Sequence, residues 1–217
     1  MKPRVALRKT AALTLVEVLV VIVVLAVLAA MILPILARPR YGSRIHCVNC
    51  LKQVGLAYQI WAGDNGDKYP MEVSVTNGGV MELVATGNVV AVFQVMSNEL
   101  STPIFVHCPM DAEQLSATNF SSGFSSKNIS YFVGLNANTN FPNSILGGDN
   151  NLERGGTSIK SGVYDLTTNV MFFWSTARHN RSGNIVLTDG SVQMLRNSNL
   201  VTQFSQTGLA TNRLAIP

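Results

Sequence analysis

The stretch LTLVEVLVVIVVLAVLAAMILPILA, residues 13–37, decides how the rest of the chain is organised. Every one of the twenty residues from 18 to 37 is apolar, and Pro34 is the only helix-breaking residue among them. Twenty residues at about 1.5 Å each make a helix of about 30 Å, the thickness of the hydrocarbon core of a bilayer. A buried helix of a soluble protein is rarely apolar on every face. The stretch therefore predicts a membrane-spanning helix.

Glu17 stands at the start of this apolar run. A carboxylate inside a membrane helix costs a few kcal/mol and usually has a function there. At the level of the lipid headgroups, near the positive end of the helix dipole, the same carboxylate would be tolerated without one. The residues alone leave both interpretations open.

The residues before the apolar run are basic. Lys2, Arg4, Arg8 and Lys9 precede Leu13, and no acidic residue does. This excess of positive charge predicts a cytoplasmic N-terminus and a C-terminal domain on the other side of the membrane. A secretory signal peptide is the second interpretation, but its apolar region would be only about 7–15 residues long.

The charge of the remaining chain argues against binding to nucleic acid. The 217 residues include 16 basic and 12 acidic ones, with a net charge of +4 and a pI of about 9.1. Without the four basic residues of the leader, 12 basic residues stand against 12 acidic ones. A neutral body offers no excess of positive charge for a phosphate backbone. The length suits one membrane anchor and one modest domain.

The order of residues at this junction resembles a known signal. A basic leader, a small residue, a hydrophobic residue, Thr-Leu-Val-Glu and a long apolar helix follow one another in RKTAALTLVE. This order resembles the class III signal of type IV prepilins and type II secretion pseudopilins. The resemblance implies that a prepilin peptidase cuts between Ala12 and Leu13 and methylates the new N-terminus. Ala12 departs from the family, which usually has Gly there, and Pro34 falls where the family's helices commonly kink.

The resemblance also implies a partner for Glu17. In a fibre of stacked subunits, the freed amine of Leu13 in one subunit would meet the Glu17 carboxylate of a neighbour. An ion pair in a medium of low dielectric offsets part of the burial penalty of both charges.

The function implied is a structural pseudopilin-like subunit, not an enzyme, anchored by one span in the inner membrane with a periplasmic domain. Its partners would be the prepilin peptidase and other pseudopilin subunits, and no cofactor is expected. The alternatives are a membrane-anchored extracytoplasmic binding module that does not polymerise, and a secreted enzyme.

Three segments follow from these predictions: a cytoplasmic leader at residues 1–12, a transmembrane and assembly helix at 13–37, and a globular domain at 38–217. Pro39 and Gly42 predict a bend within residues 38–43. A helix is predicted over residues 44–62, because apolar residues recur there at helical spacing. These residues are Cys47, Leu51, Val54, Tyr58 and Trp61.

The remaining chain predicts an antiparallel sheet, so that the fold class is α+β and pilin-like. Strands are predicted at residues 104–106, 129–135 and 170–174, the last of these in the centre of the sheet. A second helix is expected over 89–100 and a long polar loop over 136–156. Asp189-Gly190, between apolar runs at 184–188 and 191–196, is typical of a β-hairpin.

A second resemblance concerns His179. The segment HNRSGNIVLTDG, residues 179–190, has the spacing H-x9-D-G, which resembles a large group of pseudopilin-like proteins. His179 is interpreted either as a ligand-binding residue or, as we favour, as a structural residue that caps the hairpin while Asp189 and Gly190 form its turn. A hydrolase would use His179, Asp189 and Ser191, but the nucleophile elbow of such enzymes is missing from the sequence.

The cysteines are Cys47, Cys50 and Cys108, and two of them follow a histidine, His46 or His107. This pattern resembles half of a zinc site. In an oxidising compartment we expect a disulfide instead and no bound metal. Cys47–Cys108 is the favoured pairing and Cys50–Cys108 the alternative. Four oxygen donors make calcium a second candidate metal. They lack a recognisable ligand spacing, so that loop solvation explains them better. These donors are Asp149, Asn150, Asn151 and Asp165.

Overall fold

A computed structural model describes residues 14–36, 40–167 and 172–217. The chain divides into two compact units, Met1–Arg40 and Tyr41–Pro217. The predicted leader and the predicted cleavage site at Ala12 and Leu13 lie outside the described residues.

The first unit contains helix α1, Leu15–Leu36, whose 22 residues are almost all apolar. The helix continues through position 34, and a kink at Pro34 stays a prediction. Its large apolar side chains are exposed from Leu15, at 79%, to Met31. Within the described residues, no helix is both long and apolar enough to cross a membrane.

Helix α2, Arg40–Asp64, belongs to the second unit except for its first residue. It contains the predicted helix 44–62 and extends it at both ends. All five residues of the predicted apolar face, from Cys47 to Trp61, are buried. The predicted bend at 38–43 is wrong for residues 40–43, which are helical, whereas residues 37–39 lie outside the described part of the chain.

Short helices follow α2 and cover part of the core. They are α3 Met81–Ala85, α4 Val89–Val95 and α5 Ser97–Leu100, with 3-10 turns at Pro70–Glu72, Val75–Asn77, Pro103–Val106 and Ser126–Asn128. The helix predicted over residues 89–100 is therefore interrupted at Met96. The strand predicted at 104–106 is wrong, because Pro103 begins a 3-10 turn that Thr102 caps with its hydroxyl.

The centre of the domain is a six-stranded antiparallel sheet in the order β5-β9-β1-β2-β7-β8. A second sheet has the order β4-β3-β6. The strands are β1 Tyr131–Gly134, β2 Ile145–Asp149, β3 Leu152–Arg154, β4 Thr157–Ser158, β5 Gly162–Leu166, β6 Phe173–Trp174, β7 Ser182–Leu187, β8 Val192–Arg196 and β9 Asn212–Ile216. One further helix, α6, Asn197–Ser205, precedes β9.

The topology corrects two predictions, one of a loop and one of a central strand. Strand β2 lies in the region predicted as a polar loop, residues 136–156. The strand predicted at 170–174 is not central: only Phe173–Trp174 is a strand, at the edge of the small sheet, and residues 170 and 171 lie outside the described part.

The large sheet buries apolar side chains on both faces. Tyr131 and Val133 of β1 join the cluster that contains the buried face of α2, whereas Phe132 between them joins the opposite cluster with Trp174. Because both faces are covered, the central strands lack the alternation of polar and apolar residues that a half-exposed strand shows.

Candidate functional site

The first candidate site is the start of α1. The backbone N–H and the hydroxyl of Thr14 both donate hydrogen bonds to Glu17 Oε2, at 2.8 Å each. In return, the Glu17 N–H donates to Thr14 Oγ1 at 3.3 Å. Threonine followed three residues later by glutamate is the capping box, which satisfies N–H groups that the first helical turn leaves free.

The capping box gives Glu17 a local role that the sequence analysis did not identify. The carboxylate lies in the first turn of α1, where the helix dipole favours a negative charge. Its second oxygen, Oε1, accepts no hydrogen bond from the described residues. Glu17 is therefore oriented within its own chain while one carboxylate oxygen stays open to a partner.

The second candidate site surrounds His179, which is 2% exposed. Asn180 and Arg181 both adopt the left-handed backbone conformation, with φ of 53° and 57°. This tight turn leads from His179 into β7. The carbonyl oxygen of His179 accepts hydrogen bonds from Arg44 Nη2, at 2.6 Å, and from the Ser182 hydroxyl.

The imidazole of His179 lies between a sulfur and a carboxylate. Its Nε2 is 3.6 Å from Cys108 Sγ and 3.4 Å from Asp149 Oδ2. Asp149 is fully buried at the end of β2, and its Oδ2 accepts hydrogen bonds from the Asn184 backbone N–H at 2.6 Å and the Asn184 side-chain amide at 2.9 Å. Among the described residues, neither Asp149 Oδ1 nor His179 Nδ1 has a hydrogen-bond partner.

Burial determines the protonation of this pair. It lowers the pKa of His179, against the attraction of Asp149, and it raises the pKa of Asp149, against the attraction of His179 and Arg178. The imidazole is therefore neutral near neutral pH.

A buried ion pair lies beside the imidazole. Arg178 Nη2 is 3.0 Å from Asp111 Oδ2, and Arg178 Nη1 donates to the Ser130 carbonyl at 3.0 Å. The Ser130 hydroxyl donates to the same carboxylate oxygen at 2.7 Å. This pair could not be predicted from the sequence, because residues 111 and 178 are far apart in the chain and neither belongs to a recognisable pattern.

The cysteines meet at this second site. A disulfide joins Cys47 of α2 to Cys108, with their Cα atoms 5.2 Å apart, which is the pairing that the sequence favoured. Cys50 is buried and free within the described residues. The histidines that suggested half a zinc site lie elsewhere, since His46 is exposed and His107 Nε2 contacts the Gln114 carbonyl at 3.2 Å. His179 takes their place: ligand atoms of Cys47, Cys108 and His179 lie within 4.8 Å of one another.

The structure separates His179 from Asp189 and Gly190. Strand β7 lies between them, and its six residues span about 20 Å. Asp189 and Gly190 form the hairpin turn as predicted: Asp189 Oδ1 accepts from the Ser191 N–H, and Gly190 has φ of 82°. The prediction that His179 caps this hairpin is wrong, because His179 lies at the opposite end of β7. The residues of a hydrolase triad are therefore not brought together either.

The oxygen donors considered for calcium are also separated. Asp149 is buried beside His179 on β2, whereas Asp165 on β5 forms an exposed ion pair with Arg213 at 2.7 Å. Strands β1 and β9 lie between β2 and β5 in the sheet. The four donors therefore do not form one set.

Comparison with known proteins identifies the first of these two sites. Residues 7–33 match the family model of the prokaryotic N-terminal methylation motif. No curated protein and no solved structure matches the chain. The methylation motif confirms the resemblance to a prepilin-type signal and supports a type IV pilin-like or pseudopilin precursor.

The methylation motif covers the first candidate site and none of the second. It includes Ala12 and Leu13, the capping box of Thr14 and Glu17, and most of α1. It implies processing by a prepilin peptidase and pilin-like subunit assembly in general. The cluster around His179 lies far beyond the matched residues.

Proposed function

We propose that this protein is a structural pseudopilin-like subunit of a type II secretion or type IV pilus-like fibre. A prepilin peptidase cuts between Ala12 and Leu13 and methylates the new N-terminus. Residues 13–37 hold the subunit in the inner membrane before assembly. The observation that carries the proposal is the methylation motif at residues 7–33, placed where a capping box opens an apolar helix.

The surface of α1 supports this proposal. Large apolar side chains are exposed on all sides of the helix between Leu15 and Met31. So much exposed apolar surface marks a site that lipid or other protein chains cover. A lipid bilayer covers such a helix before assembly, and the α1 helices of neighbouring subunits cover it in a fibre.

Glu17 links the processing step to assembly. Thr14 holds one oxygen of the Glu17 carboxylate, and the other oxygen has no partner among the described residues. Cleavage before Leu13 creates an amine that an uncut chain lacks. The amine of a neighbouring subunit pairs with Glu17 when α1 helices pack side by side in a medium of low dielectric.

The burial of the second site supports a structural role over catalysis. His179 is 2% exposed and Asp149 is fully buried, so neither side chain is accessible to a substrate in solution. The four basic residues of the leader support a cytoplasmic N-terminus, and the domain of residues 41–217 is then proposed to lie in the periplasm.

The mature N-terminus tests the proposal. We expect mass spectrometry of the protein from its native membrane to show a chain that begins with N-methyl-Leu13. A chain that keeps Met1 would refute processing and favour the anchored binding module. A chain that begins near residue 38 would favour a protein released by an ordinary signal peptidase.

Two matched variants test the role of Glu17. Glu17→Val removes the charge, and Thr14→Val removes only the hydroxyl of the capping box. We expect both variants to enter the membrane, Glu17→Val to fail in fibre assembly and Thr14→Val to assemble. Normal fibres from Glu17→Val would refute the ion pair, and equal failure of both variants would show that the cap alone is what assembly needs.

A further inference from the structure

The buried cluster beside His179 has the composition of a metal site. We propose that Cys47 and Cys108, when reduced, bind one zinc-type divalent cation together with His179, and that Asp149 completes the site. This goes beyond the proposed function, because it concerns the domain and not the anchor. It also departs from the sequence-based expectation of no metal, because the sequence did not reveal that His179 approaches the cysteines.

The distances fit tetrahedral coordination. Zinc binds sulfur at about 2.3 Å and histidine nitrogen or carboxylate oxygen at about 2.0–2.1 Å. In a tetrahedron these bonds place sulfur about 3.6 Å from nitrogen, and nitrogen about 3.4 Å from oxygen. The structure has 3.6 Å between Cys108 Sγ and His179 Nε2, and 3.4 Å between His179 Nε2 and Asp149 Oδ2.

Three of the ligand atoms lie close together although they come from separate elements, and Asp149, which adjoins His179 Nε2, lies outside that group. Cys47 lies on α2, His179 lies before β7, and the potential ligand atoms of Cys47, Cys108 and His179 are within 4.8 Å of one another. Asp149 is fixed at the end of β2 by two hydrogen bonds from Asn184, while its Oδ1 has no partner within the described residues. Two thiolates, a neutral imidazole and a carboxylate are ligands that zinc takes in proteins.

The disulfide and the metal site are alternative states of the same two cysteines. A phosphine breaks the Cys47–Cys108 bond by giving up two electrons, takes the oxygen of one water to become a phosphine oxide, and the two protons of that water complete two thiols. Zn²⁺ then displaces both thiol protons and binds two thiolates. The sulfurs move apart to the edge of a zinc tetrahedron, about 3.8 Å. Either state links α2 to the segment that carries Cys108.

Because the site is buried, we expect the bound metal to stabilise the fold and not to act on a substrate. Cys47, Cys108 and Asp149 are fully buried and His179 nearly so, and a closed four-ligand site is the structural type of zinc centre. The oxidised chain keeps α2 in place by a covalent bond. The reduced chain keeps it in place by a metal, so the domain holds its fold in both redox states.

A cobalt titration tests this proposal on the full chain in detergent. The chain is reduced with a phosphine in the absence of oxygen, freed of the reductant and titrated with Co²⁺. We expect one equivalent to produce the visible absorption of tetrahedral Co²⁺ with the charge-transfer band of thiolate ligands, and one equivalent of Zn²⁺ to abolish both. The oxidised chain should produce neither.

Cysteine variants identify the ligands. Cys50→Ser is the matched control, because Cys50 lies one turn from Cys47 and is buried, but it is not among the grouped ligand atoms of the described residues. We expect Cys50→Ser to keep the full signal, Cys108→Ser to lose the charge-transfer band, and His179→Gln to weaken Co²⁺ binding by tenfold or more. Absence of a tetrahedral spectrum in the reduced wild-type chain would overturn the proposal, whether or not any variant folds. So would an equal loss in Cys50→Ser, which would place the metal on another pair.

Discussion

Reduction of the Cys47–Cys108 disulfide is expected to destabilise the domain of residues 41–217 strongly. The two cysteines are 61 residues apart in the chain, so the bond closes a long loop in the unfolded state. The loss of loop entropy for that separation corresponds to about 4 kcal/mol at 25 °C, and reduction should lower the free energy of unfolding by about this amount.

The measurement uses the Cys50→Ser chain in detergent with a metal chelator present. The substitution removes the third thiol, so that no other disulfide can form, and the chelator excludes metal binding by the reduced cysteines. Urea unfolding with and without a phosphine reductant is followed by tryptophan fluorescence. Both tryptophans, Trp61 and Trp174, are buried in this domain and report its unfolding.

Reduction replaces no residue, so no substitution contributes to the difference in stability. A loss below about 1 kcal/mol would refute the loop-entropy argument, because the closed loop is too long for so small an effect. Restoring the bond with oxidised glutathione should restore the original urea midpoint. If it does not, the reduced chain has rearranged and the comparison does not measure the disulfide.

Two further predictions concern packing and pH. Gly183→Ala should lower the free energy of unfolding by about 1–3 kcal/mol in urea unfolding, because the new Cβ would overlap the indole ring of Trp174. Gly63→Ala is the matched control and should not destabilise the domain, because beyond its chain neighbours and its own helix backbone the new Cβ would meet no atom of the described residues within 4 Å. Burial raises the pKa of Tyr69 from 10.0 to about 12. The stability that the domain gains from this shift is complete below pH 10 and is lost as the pH rises through about 12. Tyr69→Phe should therefore unfold at a higher alkaline pH than the wild type, and an unchanged midpoint would contradict this.

Patterns that depend on neighbouring residues were predictable from the sequence. The apolar face of α2 follows the helical period from Cys47 to Trp61, and the turn at Asp189-Gly190 needs only the preference of glycine for positive φ. The apolar run of α1 was also predictable, whereas the capping box at its start is equally local but was not identified from the sequence. The prepilin-type signal combines these local features.

Strand β2 was not predictable because its glycines suggested a loop. A Cβ on Gly147 would lie 2.7 Å from the carbonyl oxygen of Phe132, and one on Gly148 would lie 2.7 Å from that of Asn184. These glycines therefore allow a close approach of β2 to its neighbours, which is a property of the assembled sheet.

The cluster around His179 was not predictable for a related reason. Cys108, Asp149 and His179 come together only when β2 pairs with β7 and the left-handed turn at Asn180 and Arg181 directs the chain inwards. Each of these residues taken singly has an ordinary explanation. Their combination depends on long-range pairing, which a single sequence does not encode in a readable form.

The spacing between His179 and the Asp189-Gly190 turn has a structural explanation. Strand β7 runs along α2, and three contacts follow one another in the same direction on both elements. They are Arg44 with the His179 carbonyl, Gly55 with Val186, and Gln59 with the Thr188 carbonyl.

The lengths of the two elements agree between the second and third of these contacts. From Gly55 to Gln59 the helix rises about 6 Å, and from Val186 to Thr188 the strand advances about 6.6 Å. Gly55 permits the close crossing, since its Cβ would lie 2.6 Å from a methyl group of Val186. This agreement covers the part of the contact from Val186 to Thr188, next to the Asp189-Gly190 turn. A longer or shorter strand would separate either the His179 end from Arg44 or the turn from Gln59, so the motif sets how β7 docks on α2 and needs no shared ligand to explain it.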